Sequence, residues 1–322
     1  MTSKRFISTG AVAVLALVGC GAEDASDYPN GDIELIVAFP AGGPADTGAR
    51  LLANELEDVL GQSVTVVNYE GAGGWVGWNE LAAADPDGYT IGYISSPNFA
   101  AGYMNPDMDL DSGIDSFTPL ANHITDPSVI AVHPDDDRFD DISDLIEHGQ
   151  VNSLTGTGNG AASDDHLAIL KMNAAFDTNF ETVQYDGSAE SKAALLGRHV
   201  DVGFVNVGDI HGEERSGELK ILAILDDERS DIIPDVPTLK EAGWENLQNA
   251  SSRSVMGPDD LPEEVIEVLD EALESAMNNE SHLDEVLEMG LSIDYRDQDG
   301  LLELLQNDES AIDEYRSIIG WD

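Results

Sequence analysis

The sequence predicts an α/β protein built on a largely parallel sheet, and three observations carry that prediction. Short apolar runs alternate with amphipathic segments. Turn signals rich in Gly, Pro, Asn and Asp separate them. Two units, "IVAFPAGGPADTGAR" and "SLTGTGNGAASDDHLA", share one plan: a strand, a glycine turn and an acid-rich helix start. The 322 residues correspond to about two domains. An apolar content of 42% is enough for a packed core.

In order, "DIELIVAF" (32–39) reads as a buried strand and "ADTGARLLANELEDVLG" as a helix closed by Gly61. "SVTVVNY" (63–69) is a second strand, "GAGGWVGWNELAAA" (71–84) a glycine turn entering a helix, and "YTIGYIS" (89–95) a third strand. "MNPDMDLDSGIDSFTPL" (104–120) reads as a long loop, and "SVIAVHP" (128–134) as a strand. "DDISDLIEHG" predicts a short helix, "VNSLTG" a strand, "DDHLAILKMNAAF" (164–176) a helix and "FETVQY" (180–185) a strand. "SAESKAALLG" (188–197) predicts a helix, and "DVGFVNV" (201–207), "LKILAIL" (219–225) and "SRSVMGP" (252–258) predict strands. The remainder is helical, in "PEEVIEVLDEALESAMN" and "GLLELLQNDESAIDEYRSII". No repeat of solenoid length is visible.

The charge is extreme, with 64 acidic residues against 14 basic. It argues against nucleic acid as a partner, because phosphate backbones need Lys/Arg patches. The acids are spread along a patterned chain rather than gathered in a tail. That distribution fits a proteome adapted to molar salt, where screening shortens to about 3 Å at 1 M.

Residues 1–20 read as a targeting segment: Lys4 and Arg5, then an apolar run from Phe6 to Gly19, too short to span a membrane. It ends in Leu17-Val18-Gly19-Cys20, which resembles the lipobox of bacterial and archaeal lipoproteins. Cys20, the single cysteine, is the expected lipidation site, with residues 21–28 as a polar tether. The expected location is extracytoplasmic, on the outer face of the cytoplasmic membrane, with the lipid anchor as the only membrane contact.

The turn "FPAGGPAD" poses the chemical question. The first N–H groups of a helix have no intrahelical partner, and the helix dipole adds positive potential there. Gly42 and Gly43 let a ligand approach the backbone, and Pro44 begins the helix without losing a donor. The result is an anion site that needs no lysine or arginine. Asp46 reads equally as a helix cap or a ligand contact. Ser95 and Ser96 lie at the carboxyl end of the third strand, where open α/β sheets bind ligands. In the second unit Gly158, Asn159, Gly160 and Ser163 precede a helix, Asp186, Gly187 and Ser188 open the next, and Asn206 ends a strand. His166 reads as a packing or helix-start residue, and Trp75 and Trp78 as packing at helical spacing.

Other chemistries find less support. Gly156-x-Gly158-x-x-Ala161 fits a dinucleotide fingerprint, which makes an NAD-type enzyme the alternative reading, but "VNSLTG" is polar for the first strand of that fold. Asp107-x-Asp109-x-Asp111 lacks the Gly and the terminal acid of an EF-hand, with Ser112 and Thr118 in their places. The histidines show no metal-ligand spacing, and no nucleophile elbow or zincin motif is present. Neither a cofactor nor a metal is expected.

From Tyr28 to about Pro258 the chain resembles the solute receptors of tripartite tricarboxylate transporters, the TctC or Bug family. The blocks that carry the resemblance are the stretch from "YPNGDIELIVAFPAGGPADTGAR" to "DPDGYTIGY", then "HL" at 166–167, "VQYDGSAESKAALLGRHVDV" and "RSDIIPDVPTLKEAGW". The resemblance implies a two-lobe type II periplasmic-binding-protein fold with the ligand cleft between the lobes, and no enzymatic activity. Lobe 1 is expected over 29–122 and 253–322 and lobe 2 over 123–252, with crossings near Ala121–Asp126 and Ser251–Met256. The family's ligand-contacting turn matches Phe39, Ala41, Gly42, Gly43 and Asp46. The implied ligand is a small tri- or dicarboxylate, and the implied partners are the membrane subunits of the transporter.

Overall fold

The computed structural model describes residues 28–185 and 187–321. The targeting segment, Cys20 and Asp186 lie outside the described residues. The chain opens with β1 (Ile33–Val37), α1 (Pro44–Leu60), β2 (Val64–Asn68), α2 (Trp75–Ala82), β3 (Thr90–Ser96) and α3 (Asn98–Met104). The 16-residue strand β4 (Phe117–Val132) follows. The middle is α4 (Ile142–Gly149), β5 (Ser153–Gly158), α5 (Asp164–Phe176), β6 (Asn179–Gln184), α6 (Ser188–Leu196), β7 (Gly203–Asn206), α7 (Val207–Ser216) and β8 (Lys220–Ile224). The chain closes with β9 (Ala250–Pro258), α8 (Glu263–Met277), α9 (Glu280–Glu288), β10 (Ile293–Arg296), α10 (Gln298–Glu314) and α11 (Arg316–Ile319).

The first sheet runs β10-β4-β9-β3-β1-β2. The pairs of β1 with β2 and β3 are parallel, and those of β9 with β3 and β4 are antiparallel. Two helical layers cover it. On one face Leu52 and Leu56 of α1 and Leu269 and Leu273 of α8 pack on Leu35 and Ile91. On the other, Trp75, Trp78, Phe99, Leu301 and Leu305 pack on Ile94 and Met256. The second half of β4 pairs with β7 and β8, while β5 pairs in parallel with β6 and bridges to Val202. Ile130, Leu154, Ile169, Met172 and Phe204 form the core there.

This topology places the site. β4 runs parallel to β3, since both oppose β9, and Ser96 of β3 and Thr125 of β4 both pair with Ser252. β7 and β8 run against β4 and finish beside its midpoint, with Asn206 opposite Ser128 and Ile224 opposite Val129. The carboxyl ends of both groups of strands therefore meet around the middle of β4.

Most expected elements form, and the departures have physical causes. The stretch 104–120 is not all loop: β4 starts at Phe117 and runs through Pro119, Asn122 and Asp126. A register shift between Pro119 and Ala121 accommodates the proline. Helices α3, α7 and α9 and strand β10 were not expected. α7 contains Gly208 and Gly212, which weaken its helical signature.

Candidate functional site

The turn after β1 is organised by Asp46. Its carboxylate accepts the Gly42 N–H at 2.8 Å, two N–H groups of Arg50 at 2.9 Å each and Asn68 Nδ2 at 2.9 Å. Burial works against the charge, but these bonds outweigh it and hold the carboxyl below its ordinary pKa. This side chain builds the turn, with its oxygens engaged by Gly42, Arg50 and Asn68. Gly42 has φ +83, the left-handed region that favours glycine. Gly43 is the extended N-cap and Pro44 the first helical residue of α1. Ala41 and Gly42 are exposed, while Phe39 packs its ring edge-on to Trp78.

Across the strand ends, Asn159, Gly160 and Ser163 share a cavity of about 210 Å³ with Ala72, Gly73, Trp75 and Asn98. Ser163 caps α5, its Oγ accepting the His166 N–H at 3.3 Å. His166 Nδ1 accepts the Ala162 N–H at 3.1 Å, so His166 shapes the helix start; burial lowers its pKa. Gly160 has φ +117, and its N–H donates to Gln184 Oε1. Asn159 Oδ1 accepts the Ser191 hydroxyl. Trp75 and Trp78 are buried in an aromatic cluster with Phe99 and Phe117.

Ser95 and Ser96 point to opposite faces of β3, and the Ser96 hydroxyl donates to Asp308 on the α10 face. The dinucleotide fingerprint fails structurally, because its first two glycines lie within β5 and form no turn. Gly156 packs against Phe204, and a Cβ on Gly158 would lie 2.5 Å from Thr182.

Around the midpoint of β4 lies a group of which sequence reasoning named only Asn206 and Ser188. Arg253 of β9 stands opposite Ser95 in register and is 7% exposed. It meets Asp126 of β4 at 3.6 Å. Asp126 also accepts the Gly208 N–H at 3.0 Å, and Asn206 Nδ2 donates to its backbone oxygen at 2.9 Å. Ser188, at the start of α6 after the N-cap Gly187, donates to the half-buried Asp209. Asp164 and Asp165, in the first turn of α5, complete the group. Burial pushes the Asp126 carboxyl up to about 7 against the pull of Arg253. Burial likewise raises Asp164 and Asp209, and raises Asp165 furthest of these three, with neighbouring carboxylates adding to it. A larger cavity of about 740 Å³ opens on the opposite face, where Thr125, Lys171, Ser252 and Asp308 line it.

The geometry is a row of helix starts and polar side chains at the carboxyl ends of two sets of strands. Residues 48–319 match the family model described as the tripartite tricarboxylate transporter family receptor. The chain belongs to the TctC family of receptors. It is therefore a binding protein rather than an enzyme. BugT of Bordetella pertussis is 30% identical over 272 residues, 83% of each chain. A protein of the TAR-I ttuE-ttuC' intergenic region of Agrobacterium vitis is 30% identical over 293 residues, 89% of this chain and 83% of that one. Among solved structures, the periplasmic binding protein BugD superposes with a TM-score of 0.77 at 25% identity, covering 92% of this chain and 99% of that one. MatC from Rhodopseudomonas palustris, with bound malate, gives 0.75 at 26% identity, covering 91% and 100%. This TctC-family chain thus has the α/β periplasmic-binding-protein fold.

Proposed function

We propose that this TctC-family protein is an extracytoplasmic receptor that captures a small di- or tricarboxylate between two lobes and delivers it to the membrane subunits of a transporter. The observation that carries the reading is the meeting of the strand carboxyl ends at the middle of β4, with α1, α5, α6 and α7 all starting from them. Helix starts present unpaired backbone donors and positive dipole ends, and so hold carboxylates without a surplus of basic residues. A chain with a net charge of −50 needs such a local device. MatC binds malate on the same fold, which supports the carboxylate class.

The lobes are assigned as 29–122 with 253–322, and 123–252, with the hinge in β4 and β9. Closure over ligand creates the form that docks on the membrane subunits. Phe39, Ala41, Gly42 and Gly43 form the lobe-1 carboxylate turn, Ser95 lies beside it, and Asn159, Gly160, Ser163, Gly187, Ser188 and Asn206 face it from lobe 2. Cys20 tethers the protein through lipid. The test of the turn is Gly43→Asp, which places charge at the α1 start. Calorimetric titration with malate and succinate in molar KCl is expected to show at least a tenfold loss of affinity; native affinity would remove the turn from the site.

A further inference from the structure

A row of hydroxyls crosses the first sheet. Ser96 of β3, Ser252 of β9 and Thr125 of β4 pair in register, so their side chains share the face that α10 covers. The outer two are satisfied: Ser96 donates to Asp308 of α10, and Thr125 donates to Asp294 of β10 at 2.6 Å. The middle one is not. Ser252 is 4% exposed, and its Oγ has no hydrogen-bond partner among the described residues. Buried hydroxyls are almost always paired, so Ser252 calls for a group from outside the chain. There is room for one, because Ser252 lines the cavity of about 740 Å³, a volume in the range of small-molecule sites.

The walls define what that group carries. Asp294 and Asp308 flank Ser252, and Asp226, Glu228 and Asp231, which follow β8, line the facing wall. Lys171, Arg229 and Arg296 line it too, but their donors are engaged. Arg296 pairs with Asp294 at 2.9 Å, and Arg229 with Glu241 at 2.7 Å. Lys171 Nζ donates to the Gln248 backbone oxygen and to Asn249 Oδ1, both at 2.9 Å. Against five carboxylates these three cations leave a negative surplus. Burial raises the Asp226 carboxyl, and the charges of Asp227 and Asp294 add to it, a repulsion that a cation between the walls relieves. Among the described residues no group of three or more His, Cys, Asp or Glu is placed to hold a metal ion. A bare ion would also leave the apolar surface of Leu167, Leu225, Leu304 and Ala311 uncovered.

We propose that this cavity is a second binding site, for a primary alkylammonium compound, with the ammonium on Ser252 Oγ between Asp294 and Asp308 and the alkyl chain against the leucines. An ammonium has three donors and no acceptor, which matches one hydroxyl oxygen and two carboxylates. The assignment goes beyond the carboxylate reading: none of these residues belongs to the turns assigned to that ligand.

The test is calorimetric titration of the protein in molar KCl with butylamine, with butanol as the neutral match and butyrate as the anionic one. The expected result is binding of butylamine at least tenfold tighter than of either control. Ser252→Ala is expected to lower butylamine affinity at least fivefold. Asp226→Asn, on the facing wall, is expected to lower it in the same direction should the first variant fail to fold. No binding of butylamine overturns the site and leaves water as the partner of Ser252. Butanol binding as tightly as butylamine overturns the ammonium assignment. Butylamine affinity unchanged in both folded variants puts the amine elsewhere and also overturns it.

Discussion

Ser163 shows how a single hydroxyl sets a helix start. It satisfies one of the four orphan N–H groups of α5. Ser163→Ala is expected to cost about 1 kcal/mol, read as a lower denaturation midpoint with an unchanged slope. This residue, like Gly43, Gly61 and Pro44, announces itself locally. Its role follows from its own chemistry and the few residues after it, which is why these turns were legible in the sequence. Arg253 was not legible. Its partner Asp126 lies far away in the chain, and "SRSVMGP" gives no local sign that the arginine faces inward. The carboxylate of Asp46 was half legible: its position in the turn was clear, but its engagement by Arg50 and Asn68 depends on the fold of β2 against β1.

At the scale of elements, α1, α5 and α6 could be read because apolar spacing and terminal signals agree. The first half of β4 could not, because Pro119, Asn122, His123 and Asp126 look like loop residues. They are tolerated because tertiary partners receive them. Asn122 donates to the Asp294 backbone oxygen and accepts from Ser254. His123 bonds Tyr93 at 2.7 Å and His282 at 2.8 Å, a buried chain linking β3, β4 and α9. α7 stayed hidden for a related reason: Gly208 is required because a Cβ there would lie 2.5 Å from Leu291 and 2.7 Å from Asp126. The packing of α2 on α3 gives the sharpest element-scale prediction. Trp75 stacks on Phe99 with ring centroids 5.2 Å apart, and Trp78 is fully buried beside them. Trp78→Ala is expected to cost about 3–5 kcal/mol, measured by denaturant unfolding in molar KCl; a loss below about 1 kcal/mol would contradict this packing.

At the scale of the whole molecule, pH and salt act through the acid excess. Asp126 and Asp308 have folded pKa values raised to about 7 by burial, and Asp270 to about 6. A carboxyl raised in the folded state binds its proton there first, so folding grows more favourable as pH falls through 7. Burial depresses His123 and His282, the latter to about 4. They act in the opposite sense once pH drops below their unfolded value near 6.5. The melting temperature is therefore expected to rise as pH is lowered from 8 to 6.5 at fixed molar KCl, and to gain less below that. A flat profile over 8 to 6.5 would contradict the buried acids. The net charge of −50 predicts loss of structure in dilute buffer, because self-repulsion reaches further as screening lengthens. Circular dichroism after dialysis checks this; an unchanged spectrum would speak against adaptation to salt. The central claim is that the cleft captures a small carboxylate, and a thermal-shift panel in molar KCl with malate, succinate, citrate, glutamate and NAD tests it most directly. A ligand at a hundred times its dissociation constant stabilises the folded state by about 2.7 kcal/mol. At least one carboxylate is predicted to raise the melting temperature by several degrees while NAD leaves it unmoved; a shift with NAD alone, or with nothing in the panel, would contradict the account.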